Sequence, residues 1–273
     1  MSVTSIAVRG GVLEFSEEGS GRPLLLLHSL LADRGVFDQL VPLLADRRRV
    51  IAVDLPGFGG SSPVKENVEA LADRLAELFP AAGLGSETDV LGNGLGGFIA
   101  LALAIRHGNL FGRLVVAGTG MTFSETGRSA FQVMAQQVRE RGMDAVVERA
   151  MKRLFPDEFI ARNPEIVAER RAALLKTDPS RFAGTCDALA ALDLGPDVGR
   201  IRNPTLVVVG SLDAATPPAM ARELAARIPG AALVELQGCG HAPMAQDPRG
   251  FAAAISAFLG RAAAGTEARA HQS

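Results

Sequence analysis

Residues 89–97 read DVLGNGLGG, a short apolar run that closes on glycines and leads into the apolar stretch FIALALAI at 98–105. The order implied is strand, sharp turn, helix. With serine at the turn, Gly-x-Ser-x-Gly holds a nucleophilic hydroxyl out at the tip. Here the tip residue is Gly94, so the turn is expected and its nucleophile is absent. The same glycines spell Gly92-x-Gly94-x-x-Gly97, the fingerprint of a dinucleotide-binding loop. Two features count against that second reading. The motif lies deep in the chain instead of in the first strand–helix unit. The next apolar run, RLVVAGTG at 113–120, also lacks the closing acidic residue that a ribose needs.

Working outward, the chain has 273 residues, 48% of them hydrophobic, which suits one large α/β domain with an insertion or two modest domains. A formal net charge of −2 offers no electrostatic case for nucleic acid or an anionic membrane. Trp and Tyr are both absent, so aromatic packing rests on 13 Phe. Cys186 and Cys239 do not make a disulfide framework, and free thiols in a reducing cytosol are expected. The first residues lack a basic start followed by an apolar core, so no signal peptide is expected. The longest apolar runs, such as 24–27, fall far short of the roughly 18 residues a membrane span needs. The expectation is a soluble cytoplasmic protein.

Residues 23–29, 49–57, 88–94, 113–120, 204–213 and 232–241 each read as a buried strand ending in small or polar residues. Between them, 36–46, 66–82, 95–107 and 217–228 carry helical spacing with charges opposite the apolar face. This alternation predicts a mostly parallel sheet covered on both faces, with functional residues beyond the carboxyl ends of its strands. The stretch from about 121 to 198 breaks the rhythm: amphipathic helical pieces are separated by FPDE, NPE, TDPS and LGPD. We expect a core from residues 1–121 and 198–273, with a helical cap at 122–197 lying over the strand ends. The polar tail RAAAGTEARAHQS at 261–273 is expected to fray.

Asp213 follows an apolar strand in VVVGSLDAATPP, and His241 follows the next in GCGHAPMAQDP. Either alone fits a structural role, a turn or N-cap aspartate or a buried histidine. Together at strand ends they fit an acid that orients an imidazole and leaves its other ring nitrogen free as a base. LLLLHSLLAD at 24–33 ends the first strong strand, and its loop can offer the Leu30 N–H to an oxyanion. Leu95, at the start of a helix just past the turn, offers a second N–H and the helix dipole. Ser29 is expected to line the substrate site. Four scattered histidines include no ligand-spaced cluster, so no metal or other cofactor is expected.

The order of turn, Asp and His, with helices between turn and Asp, resembles the α/β-hydrolase superfamily over residues 12–259. Within it, VDLPGFGGS, LLKTDPSRFAGTCDALAALDL, PTLVVVGSLDAATPP and GCGHAPMAQDP are most similar to the 3-oxoadipate enol-lactonases and their relatives. The resemblance implies an α/β-hydrolase fold and a small-molecule ester or lactone substrate. It makes Gly94 the nucleophile position, Asp213 the triad acid, His241 the base, and Leu30 and Leu95 the oxyanion donors. The departure is glycine at 94; Ser29, Ser211 and Cys239 stand near in the motifs but not on an elbow, so none is an evident substitute. The leading expectation is therefore an inactivated serine hydrolase. Two others stay open: a catalyst without an acyl-enzyme (water activated by His241, an isomerase, lyase or cyclase), and a ligand-binding protein without catalysis.

Overall fold

The computed structural model describes residues 2–260, so the tail read above as frayed lies outside the described residues. Eight strands form one sheet in the order β1-β2-β4-β3-β5-β6-β7-β8. They are β1 (Ser2–Val8), β2 (Gly11–Glu18), β3 (Arg22–Leu27), β4 (Arg48–Val53), β5 (Asp89–Asn93), β6 (Leu114–Ala117), β7 (Thr205–Gly210) and β8 (Ala232–Leu236). All neighbours from β4 to β8 run parallel, whereas β2 runs antiparallel to both β1 and β4. Strands β5, β6 and β7 are buried along their whole length, which is why each reads as an unbroken apolar run.

The helices are α1 (Val41–Leu44), α2 (Val68–Ala76), α3 (Leu78–Ala81), α4 (Leu95–His107), α5 (Glu125–Arg141), α6 (Val147–Leu154), α7 (Asp157–Arg162), α8 (Pro164–Leu175), α9 (Pro179–Ala191), α10 (Pro218–Arg227), α11 (Pro243–Gln246) and α12 (Pro248–Leu259). Helices α5 to α9 all fall between β6 and β7. That excursion leaves and returns at one place: Thr122 bridges Asp193, and the Leu194 N–H donates to the Met121 carbonyl at 2.9 Å. Among the described residues no helix is long and apolar enough to cross a membrane.

Three sequence readings need correction, the first being the strand read as buried at 232–241, which is the edge strand β8 with no fully buried residue. The β1–β2 hairpin was not among the expected strands: β1 is mostly exposed, and β2 buries only Leu13, Phe15 and the polar Ser16. Neither therefore carries an apolar run. The helix expected at 36–46 is only a single turn at Arg34–Phe37 followed by α1, and the one at 66–82 is broken at Glu77 into α2 and α3.

Register fixes where chemistry can sit. Leu27 pairs with Gly92, Asn93 with Ala117, and Ala117 with Val208, so the carboxyl ends of β3, β5, β6 and β7 lie side by side. Chain order reverses between β3 and β5, which opens a crevice there. Helix α4, buried through its first ten residues, packs against this part of the sheet and against α2. A side chain at Gly96 would place Cβ 2.1 Å from the Leu27 carbonyl oxygen, so only glycine lets α4 approach β3 this closely. The Gly96 N–H uses that approach to donate to the His28 carbonyl at 2.9 Å.

The opposite end of the sheet holds a buried charge. Asp89 is fully buried and accepts from Arg22 at 3.0 Å, Arg48 at 2.6 Å and the Arg113 N–H at 3.0 Å. Asp89→Ala strands these donors and is expected to lower the unfolding free energy by about 3–5 kcal/mol in urea titrations. Glu158→Ala, which removes an exposed pair with Arg162, is expected to change it by less than about 0.5 kcal/mol.

Candidate active site

Each expected site residue falls at the carboxyl edge of the sheet. Gly94 joins β5 to α4 with φ of 53° and ψ of −117°. A residue with a side chain is strained at that positive φ, as is usual at an elbow tip. Its N–H donates to the Ala117 carbonyl at 3.0 Å. Asn93, just before it, donates from Nδ2 to the carbonyls of Ala117 (3.1 Å) and His241 (2.9 Å), tying the turn to the histidine loop.

Asp213 and His241 are both buried and meet at 2.9 Å, Nδ1 to Oδ2. Asp213 Oδ1 also accepts the N–H groups of Ala215 and Thr216, each at 2.8 Å, and Oδ2 accepts the Thr216 hydroxyl at 2.8 Å. Burial by itself pushes this carboxyl up; the neighbouring imidazole and the Thr216 hydrogen bonds outweigh it and hold Asp213 below the ordinary value. An ionised Asp213 fixes the proton of neutral His241 on Nδ1 and leaves Nε2 as an acceptor. Gly118, at the end of β6, leaves room for the pair: a Cβ there would lie 2.8 Å from His241 Nδ1 and 3.0 Å from Asp213 Oδ2.

His241 Nε2 faces the turn. An ideal Cβ on Gly94 would stand 2.7 Å from it and 2.5 Å from the Ser29 hydroxyl. The space beside Gly94 is thus bounded by these two polar groups. Ser29 is buried, and its Oγ lies 3.3 Å from His241 Nε2. Leu30 and Leu95 flank the same spot, and among the described residues no acceptor takes either N–H. The other nucleophile candidates are poorly placed. Ser211 accepts the Gly238 N–H, and burial pushes the Cys239 thiol up and that of Cys186 up to about 12.

Several residues of the site carry no sequence signal that the readings above used. Phe98, Phe123 and Phe131 pack edge to face or tilted at 5.2 and 4.8 Å and form an apolar wall with Met134 and Leu189. Arg153 of α6 lines the same pocket, half-buried, with no acceptor among the described residues. The pocket is small, about 30 Å³, room for about one water. Among the described residues no group of three or more His, Cys, Asp or Glu is placed to hold a metal ion.

With this geometry in view, comparison with known proteins is informative. A model described as the alpha/beta hydrolase family matches residues 24–254. The chain is 30% identical to 3-oxoadipate enol-lactonase 2 of Acinetobacter baylyi over 88% of its own length and 90% of that protein. It is 32% identical to the pimeloyl-[acyl-carrier protein] methyl ester esterase of Aeromonas hydrophila over 89% and 97%. In structure it is similar to the enol-lactonase of Burkholderia xenovorans LB400, with a TM-score of 0.87, 28% identity, and 94% and 100% of the two chains covered.

His28 holds the Ser29–Leu30 loop in place. Its Nδ1–H donates to the Ser29 carbonyl at 2.9 Å, and Nε2 accepts the Leu55 N–H at 3.2 Å. The Leu55 bond needs the neutral ring, and burial lowers its pKa from 6.5 to about 4. The unfolded chain therefore binds a proton between pH 6.5 and 4 that the folded chain refuses. Stability from His28 is complete above pH 6.5 and is lost as pH falls toward 4. Asp54 acts the other way: burial raises it to about 6, so its contribution is complete at low pH and lost as pH rises through 6. Comparing the parent with His28→Gln separates the two. Between pH 7 and 4.5 the parent is expected to lose about 2–3 kcal/mol more than the variant in urea unfolding.

Proposed function

The chain belongs to the alpha/beta hydrolase family, and from that membership we propose that it acts on a carboxylic ester or lactone, with strongly impaired turnover because glycine occupies the elbow. One observation carries the reading: His241 Nε2, oriented through Nδ1 by Asp213, faces a point flanked by the unclaimed N–H groups of Leu30 and Leu95. Asp213 orients, His241 takes and returns the proton, and the two N–H groups hold the negative charge that develops on the carbonyl oxygen. The chain's relatives, an enol-lactonase and a methyl ester esterase, support this bond class. A pure binding protein has no use for an oriented base, which counts against that alternative.

We read residues 122–197 as a cap over a core of 1–121 and 198–273, and the pocket wall from α5 and α9 is what this cap contributes. Apolar rings beside an unpaired Arg153 suit a compact substrate carrying a carboxylate away from the scissile bond. Burial, then the like charge of Arg149, lowers the Arg153 pKa, so the guanidinium gains from an anionic ligand. No metal or organic cofactor enters the scheme. Buried, unpaired Cys186 and Cys239 suit a reducing cytoplasm.

Magnitudes set the expected rate. Loss of a triad nucleophile costs about a million-fold in turnover, roughly 8 kcal/mol, while about 10³–10⁴ over water survives from the oxyanion donors and binding. Assayed side by side on an enol-lactone and a short-chain activated ester, Gly94→Ser is expected to exceed the parent by several orders of magnitude. His241→Ala in the Gly94→Ser background is expected to lose that gain, leaving only what the oxyanion donors and binding supply. Equal rates in parent, Gly94→Ser and His241→Ala would overturn the reading. For substrate class, Arg153→Met is expected to raise KM about tenfold or more for an ester bearing a free carboxylate, with neutral esters unaffected. An equal effect on both would remove Arg153 from substrate recognition.

A further inference from the structure

We propose that Ser29 is the nucleophile behind the residual turnover of this site, acting from the loop after β3 less efficiently than a serine at the elbow would; the inference rests on the ester or lactone chemistry proposed above. Among the described residues, the hydroxyl on the proton-accepting nitrogen of His241 is that of Ser29, 3.3 Å from Nε2. Thr216 stands on the other side of the ring, 3.3 Å from Nδ1, with its proton committed to Asp213. Because Asp213 holds the Nδ1 proton, the Ser29 O–H can only donate to Nε2, which is the arrangement a serine nucleophile needs. The separation is long for such a bond, and these contacts tighten when substrate is bound.

Glycine at 94 and serine at 29 are complementary. A Cβ at 94 would come within 2.5 Å of the Ser29 hydroxyl and 3.0 Å of its Cβ, so Ser29 occupies the room that a side chain on the elbow takes. Removing that side chain is what lets the Ser29 hydroxyl and the imidazole meet. The hydroxyl also rides on a fixed backbone. The Ser29 carbonyl accepts from His28 Nδ1 at 2.9 Å and from the Ala32 N–H at 3.2 Å, and His28 is itself pinned to α4 through Gly96. Leu30, the residue after Ser29, supplies an N–H on one side and Leu95 at the start of α4 supplies one on the other. An elbow serine draws its donors in the same way, one from the following residue and one from a separate loop.

The reaction balances with water as the one co-reactant. Ser29 Oγ bonds to the carbonyl carbon as its proton passes to His241 Nε2, and the carbonyl electron pair moves onto the oxygen facing Leu30 and Leu95. Collapse breaks the bond to the leaving alkoxide or enolate oxygen, which takes the proton from His241. Water then attacks the acyl-Ser29 carbonyl, giving its proton to His241. Release of the carboxylic acid returns that proton to Ser29.

A fluorophosphonate tests this without knowledge of the substrate, because it labels an activated serine hydroxyl with loss of fluoride. The folded full chain is incubated with the reagent and the adduct located by peptide mass mapping, with thermal unfolding showing that each variant is folded. One adduct is expected on Ser29, absent from Ser29→Ala and from His241→Ala, and shifted to residue 94 in the double variant Gly94→Ser with Ser29→Ala. Ser29→Cys, which keeps a nucleophile there, is expected to accumulate an acyl-thioester with p-nitrophenyl acetate. No adduct on Ser29, or an adduct that persists in His241→Ala, overturns the proposal. So does Ser29→Ala hydrolysing p-nitrophenyl acetate at the parental rate. If that remaining hydrolysis still requires His241, the ester or lactone reading stands and only the role of Ser29 falls. If neither the parent nor Gly94→Ser hydrolyses any ester and no serine is labelled, both fail.

Discussion

The close approach of α4 to β3 at Gly96 is the constraint on which the rest of the site depends. It is a backbone contact, the Gly96 N–H on the His28 carbonyl, and it holds two loops in register: the loop after β3 and the turn after β5. These loops enter the crevice where chain order reverses, so their N–H groups converge on one point from both sides. A methyl group at 96 would part them, because its neighbour is a carbonyl oxygen and has nowhere to go. Site geometry here is set by backbone packing first and by side chains second.

The two ends of the sheet divide the electrostatic work. At the amino end Asp89 gathers arginines and a backbone donor, a buried charge whose partners are all present. At the carboxyl end Asp213 is equally buried and equally satisfied, but one of its partners is an imidazole whose far nitrogen stays available. The same physics of a desolvated carboxylate surrounded by donors thus gives an anchor in one place and an oriented imidazole in the other. What differs is that the hydrogen bonds of Asp213 lead to an imidazole whose second nitrogen faces the Ser29 hydroxyl.

The helical excursion is part of the site and not only a cover for it. The Leu154 carbonyl at the end of α6 accepts the His241 N–H at 3.0 Å, and Arg170 of α8 binds Asp33, just past the Ser29 loop, at 2.7 Å. Motion that admits a substrate therefore acts on segments that carry the base and the Ser29 hydroxyl. The pocket between these segments is small, about 30 Å³. The much larger groove of about 610 Å³ near Glu14, Arg34 and Asp54 lies away from His241 and is lined by charged groups already paired with one another.

Much of this was legible in the chain itself. Parallel strands buried on both faces must be apolar throughout, so 23–29, 88–94, 113–120 and 204–213 announce themselves, and Asp213 and His241 stand out because a polar residue ends such a run. The β1–β2 hairpin did not, since a half-exposed edge alternates apolar and polar residues too briefly to separate from loop. The glycines of 92–97 identified the turn and its missing side chain, because a sharp strand-to-helix turn needs them locally. The Phe wall, the Arg153 position, the space under Gly118 and the meeting of Ser29 with His241 were decided only in three dimensions. Those contacts join residues as far apart as 212 positions, and sequence spacing carries no information about which strand ends become neighbours until the sheet order is set. Local sequence determined the turn, the strands and the types of chemical group at their ends; tertiary packing decided which hydroxyl those groups face.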